Sequence, residues 1–133
     1  MSREDPAMRA AFAKAAATLD EFLAKAAAPQ AGTSNYALKV AISDGRDTEY
    51  FWVSDFSNEG DRFSGTLKNE PRVVKKYKSG ERIQFSKAQI TDWMYIDGAK
   101  RRMMGNFTAC ALLTEEPPAQ AQAFKKRYGL QCE

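Results

Sequence analysis

A change of hydrophobic period constrains this chain more than any other feature. Met8, Phe12, Ala15, Leu19, Phe22 and Ala26 recur at spacings of four, three, four, three and four. That is one apolar stripe on an α-helix. Asp5 and Pro6 suit its start, as a cap and a first helical residue, and the alanines favour helix throughout. Pro29 and Gly32 end it, so a helix is expected over about residues 5–28. After "PQAGTSN" the period falls to two. Leu38, Val40 and Ile42 alternate with Ala37, Lys39 and Ala41, as in a half-buried strand. A chain with a helical period followed by a strand period must pack one element type on the other.

Strand patterns then repeat. "SDGRD" is a turn, and "TEYFWVSDF" carries bulk on both faces, Tyr50, Trp52 and Phe56 against Phe51 and Val53. Such a strand is expected at the centre of a sheet, covered on both sides. "RFSGTL" and "RIQFS" are further strands. Pro71 breaks the chain between them, and "VVKKYKSGER" fits either a short helical turn or an edge segment. "QITDWMYID" places Ile90, Asp92, Met94 and Ile96 on one face and Trp93 and Tyr95 on the other. Asp97-Gly98 suits a tight hairpin, from which "KRRMM" returns. Asn106 can cap a helix over "FTACALL", although that stretch alternates almost as well as a strand. "TEEPPAQAQAFKKRYG" is a clearer helix, with acids and Pro118 at its start, Lys125, Lys126 and Arg127 at its end, and Gly129 beyond.

The expected architecture is α+β, in a single domain over 1–133. A long N-terminal amphipathic helix packs on a bent, mainly antiparallel sheet of five or six strands over about 36–104, a sheet that could curl into an SH3-like barrel. C-terminal helices fill about 106–128.

Composition removes function classes. The 133 residues include no histidine, so the commonest general base, metal ligand and nucleophile partner is missing. No metal site, cofactor or catalytic motif is recognisable, which points away from an enzyme. Gly65, Gly98 and Gly105 fall in no phosphate-loop spacing and read as turn or bulge positions. A net charge of +3 and a pI near 8.9 are mildly basic, short of a dedicated nucleic-acid binder. No apolar run is long enough to span a bilayer. "MSREDPAMRAAF" lacks the apolar core of a signal peptide. The sequence as it stands therefore reads as cytoplasmic, or periplasmic if a leader has been removed. In a reducing compartment Cys110 and Cys132 are expected as thiols, with Cys110 buried and inert among Ala and Leu; a secreted form could pair them.

Several constellations could face a partner. Tyr50, Trp52, Trp93 and Tyr95 would form cross-strand pairs if their strands were neighbours; core is the favoured reading and an aromatic groove the functional one. Asp92 shares an apolar strand face, which favours a structural carboxylate, accepting backbone N–H groups or meeting an arginine, over an acid–base group. Basic residues gather at Arg72, Lys75, Lys76, Lys78 and Arg82, and again at Lys100, Arg101 and Arg102, near Tyr77 and Tyr95. Such runs are usually solvated, but they can also hold nucleic acid or steer an acidic protein.

Taken in order, "LDEFL", "LKVAISDG", "EYFWV", "FSGTLKNEPRVV", "DWMYIDG", "GNFTACALL" and "FKKRYGLQC" resemble the YegJ-like family of bacterial domains of unknown function (DUF 2314), from about Met8 to the end. Some members of that family carry an export leader and others sit beside unrelated domains. The resemblance thus implies a portable module, and it brings no established activity, cofactor or catalytic residue. The leading expectation is a non-catalytic protein-binding or accessory module, immunity-like in kind, using Trp52, Trp93, Tyr95, Lys100, Arg101 and Arg102. The alternatives are a nucleic-acid-associated module on the basic 72–82 and 100–102 segments, and a carboxylate enzyme around Asp92. Oligomeric state is not encoded legibly.

Overall fold

A computed structural model describes residues 2–132. In chain order the elements are α1 (Pro6–Ala27), β1 (Thr33–Ser43), β2 (Thr48–Glu59), β3 (Arg62–Leu67), β4 (Arg82–Ser86), a 3-10 turn (Lys87–Gln89), β5 (Ile90–Asp97), β6 (Arg102–Gly105), α2 (Phe107–Leu113) and α3 (Pro118–Tyr128). The fold is α+β: an N-terminal helix, six strands with antiparallel pairing, and two C-terminal helices. The chain forms two compact units. One comprises the residues up to Asn35 together with those from Asp92 onward; the other is Tyr36–Thr91.

Within Tyr36–Thr91 the strands form an antiparallel meander in the order β4-β3-β2-β1. Register follows the period-two pattern: Leu38 faces Val53, Val40 faces Phe51, and Phe63 faces Phe85. These six side chains are buried, with Ile42, Leu67 and Ile83 beside them. β4 does not close back onto β1, so the meander is open and not an SH3-like barrel. β2 is central, as expected, between β1 and β3. Its second face is only half-covered, however. Phe51 and Val53 are fully buried, whereas Tyr50, Trp52 and Phe56 are partly exposed. A bulge between Ser54 and Ser57, with Asp55 at φ 54°, shifts the alternation there. Gly65 lies against that irregular stretch; a Cβ at this position would overlap the Val53 side chain.

The other unit begins with α1. Pro6 takes the first helical position, but the Asp5 side chain caps nothing; its backbone carbonyl accepts from Arg9 N–H at 2.9 Å. Met8, Ala11, Ala15, Leu19 and Phe22 are buried. Ala11 replaces Phe12 on the innermost line because α1 approaches α2 closely there, with Met8, Ala11 and Ala111 in one cluster. Small side chains are what permit that approach. Further along, Phe22 stacks on Trp93 of β5 at 4.8 Å between ring centroids. β5 and β6 pair antiparallel, with Tyr95 opposite Met104 and Asp97 opposite Arg102.

Their connection is longer than a two-residue turn. Gly98–Arg101 intervene, Arg101 N–H donates to the Gly98 carbonyl at 3.3 Å, and Arg101 takes the left-handed φ of 53°. Residues 107–113 are helical, which settles the helix-or-strand ambiguity. α3 ends at Gly129 in the left-handed region. Glu115 and Glu116 precede α3 rather than occupying its first turn.

Candidate functional site

A cleft of about 710 Å³ lies within the unit built from α1, β5, β6, α2 and the C-terminal segment. Its inner surface is aromatic. Trp93 and Tyr95 sit two residues apart on one face of β5, with ring centroids 6.0 Å apart and planes 14° apart. Phe22 stacks on both, and Phe107 meets Trp93 edge-on at 5.4 Å. Trp93 and Tyr95 are 9% and 6% exposed, so they are mainly core, with only an edge reaching the cleft. The indole N–H of Trp93 donates to Thr18 Oγ1 at 2.9 Å, and that hydroxyl donates to the Lys14 carbonyl at 2.8 Å. The indole is therefore fixed in rotation. Gly105 closes this side. It adopts φ 79°, and a Cβ there would run into both the Trp93 carbonyl and its ring.

Cations surround the aromatic surface. Lys14, Lys25, Arg102 and Lys125 line the cleft, and Glu21 is the one carboxylate among its described lining residues. Glu21 and Lys25 approach at 3.9 Å as an i,i+4 pair. The Lys14 ammonium lies 5.3 Å from the Phe107 ring centre, and that of Lys25 lies 5.9 Å from the Tyr95 ring centre. Cations over π faces keep their positive charge beside the rings that line the cleft.

Part of the cleft wall is a covalent link. Cys110 and Cys132 form a disulfide with Cα atoms 5.5 Å apart, and both residues line the cleft. Of the two states open from the sequence, thiols in a reducing compartment or a bridge in a secreted form, the structure has the bridge, and Cys110 is not the buried inert thiol expected. Both cysteines are partly exposed. A second tie holds the same segment: Met103 N–H donates to the Gly129 carbonyl at 3.0 Å, and Met103 bridges Leu130.

Asp92 shapes the site without facing it. It is fully buried. Its carboxylate accepts from the backbone N–H groups of Trp93 (2.8 Å), Phe107 (3.2 Å) and Thr108 (2.9 Å), and from the Thr108 hydroxyl at 2.7 Å. The free N–H groups at the start of α2 thus find their acceptor on β5. Asn106, the expected cap, is instead in the left-handed region at φ 54°; its side-chain amide donates to Met103 sulfur. The favoured structural reading of Asp92 matches this geometry.

The six residues singled out from sequence are not all brought together. Trp93, Tyr95 and Arg102 line the cleft; Lys100 and Arg101 lie on the hairpin turn outside it. Trp52 belongs to the other unit. Both neighbours of β2 are β1 and β3, so Tyr50 and Trp52 make no cross-strand pairs with Trp93 and Tyr95. Trp52 is covered by the Lys39 ammonium at 5.5 Å. Sequence reasoning missed Lys14, Lys25 and Lys125. The first two did leave a signal: Ala7, Ala11, Lys14, Thr18, Glu21 and Lys25 run at helical spacing beside the apolar stripe.

A second built feature lies in Tyr36–Thr91. Glu49 of β2 accepts from three consecutive backbone N–H groups, Arg72 at 3.0 Å, Val73 at 2.8 Å and Val74 at 3.0 Å. Asn69 Oδ1 accepts from Trp52 N–H at 2.6 Å. These bonds fix the 68–74 loop, which is neither helix nor strand. Desolvation raises the Glu49 pKa. The N–H groups of Val73, Val74 and Arg72, with the Arg72 charge, outweigh it and hold the carboxyl below its ordinary 4.5.

The fold and the cleft define a small α+β domain with an aromatic, cation-lined recess. No cluster of three or more Cys, Asp or Glu that could hold a metal occurs among the described residues. No helix among them is long and apolar enough to cross a membrane. The family described as "Uncharacterized protein conserved in bacteria (DUF2314)" matches residues 5–132, and the chain belongs to it. The chain is similar to "Uncharacterized protein YegJ" of Escherichia coli (strain K12), at 32% identity over 92 residues. That match covers 69% of this chain and 59% of the relative, so the chain spans about three-fifths of the relative's length. No solved structure matches it.

Proposed function

We propose that this domain is a non-catalytic protein-binding module whose cleft takes an acidic partner segment carrying apolar side chains. One observation carries the reading: among the described residues, four cations and a single carboxylate line an aromatic recess large enough for several side chains. The rim charges steer and orient, and the recess supplies apolar burial. Asp92 spends its oxygens on α2, which favours this reading over an enzyme built around that carboxylate.

The test uses Trp93 fluorescence in a Trp52→Phe background, titrated with a short peptide mixing Glu with Phe and Leu. Saturable binding that weakens with salt is expected. Lys14→Glu with Arg102→Glu weakens it about tenfold, or about 1.4 kcal/mol over the two charges. Binding that is absent, or unchanged in the double variant, contradicts the proposal.

The same reading assigns the domain to an oxidising compartment such as the periplasm, where a bridge like Cys110–Cys132 persists. Protein taken directly from cells into denaturant should resist maleimide until reductant is added. Labelling of both cysteines without reductant contradicts that assignment.

A further inference from the structure

We propose that residues 72–78 form a peripheral anchor that docks reversibly on anionic lipid surfaces. Val73 is 50% exposed, more than any other large apolar side chain among the described residues. Its exposure is imposed by neighbouring structure. Glu49 grips the N–H groups of Arg72, Val73 and Val74, while Pro71 and Val74 are buried on either side. The backbone is thereby held with Val73 outward.

Around this apolar tip, Arg72, Lys75, Lys76 and Lys78 are all exposed, and no acid occurs from Arg72 to Gly80. Glu49 faces Arg72 and meets part of its charge. Glu81 is turned back on the chain, accepting from Lys78 N–H at 3.1 Å. An apolar tip inside a collar of cations matches a headgroup layer: phosphates meet the cations and the tip enters the acyl boundary. Each cation at such a surface is worth about fivefold in partitioning. Lipid is favoured over single-stranded nucleic acid, which needs open aromatic faces for base stacking. The one ring here, Tyr77, has the Lys76 ammonium 5.5 Å from its centre, and Val73 has nothing to do on a phosphate backbone.

The experiment is co-sedimentation of the whole chain with vesicles of phosphatidylcholine alone or doped with phosphatidylglycerol. The wild type is expected on the phosphatidylglycerol vesicles only, and to leave them at high salt. Lys75→Glu with Lys76→Glu lowers partitioning by about tenfold or more, and Val73→Asp by several-fold. Both should melt like the wild type, since the altered side chains are exposed. The proposal is overturned if phosphatidylglycerol vesicles do not bind. It is equally overturned if the 73 and 75/76 variants bind like the wild type, or if single-stranded DNA or polyglutamate binds more tightly than the vesicles.

Discussion

Asp92 shows at the scale of one residue how an anomaly in sequence becomes a structural device. A carboxylate on a strand face beside Ile90, Met94 and Ile96 has to be matched or it costs heavily. That much is legible, because the alternation of β5 assigns its face. The match is not legible. Phe107 and Thr108 lie fifteen and sixteen residues downstream, across a hairpin, and only the fold brings their N–H groups to the carboxylate. Asn106 looked like the cap because its residue type is right, but its left-handed backbone removes it from that task. Asp92→Ala should therefore cost about 3 kcal/mol in urea unfolding, since it strands buried donors. Asp92→Asn should cost less, because one side-chain oxygen still accepts. A loss below about 0.5 kcal/mol in the alanine variant, the range of an ordinary surface change, would show that the N–H groups of α2 find other partners.

Elements were legible where one period dominates. α1, β1 and β5 each carry a pattern that cannot be shifted without exposing its apolar face. "FTACALL" was open because seven residues can satisfy both periods; an acceptor on β5 decides it. Asp97-Gly98 has the composition of a tight hairpin, yet the connection runs on through Arg101. Arg101, which supplies the positive φ, carries no such signature. The 68–74 loop was opaque for another reason: its fixity comes from Glu49, more than twenty residues away.

That carboxylate gives the loop a pH dependence. A group whose pKa is lower in the folded state stabilises fully above its unfolded value, and the contribution is lost as pH falls through the folded value. For Glu49 the window lies below about 4.5. Protease cleavage within 68–81 should accelerate in that window for the wild type. Glu49→Gln should cleave faster already at neutral pH and show a flatter pH response. Equal pH profiles for the two proteins would contradict the assigned anchor.

For the whole molecule, the family match runs through both compact units, from residue 5 to 132. We propose that the chain is one cooperative domain. The two tryptophans test this, since Trp52 lies in one unit and Trp93 in the other. In the Trp52→Phe and Trp93→Phe proteins, fluorescence and far-UV circular dichroism should give the same urea midpoint within each protein. Separated midpoints would show two independently folding parts. The cleft itself was half legible. Trp93, Tyr95 and Arg102 line it, though the sequence grouped them with Trp52, Lys100 and Arg101; Lys125 and the Cys110–Cys132 wall come from segments that no local pattern connects to them. The central claim is that this recess receives an acidic, partly apolar segment. Backbone amide NMR during titration with the Glu-Phe-Leu peptide tests it most directly. The account predicts shifts that saturate together and centre on Lys14, Trp93, Tyr95 and Arg102. Spectra that stay unchanged, or shifts centred elsewhere in the chain, would contradict it.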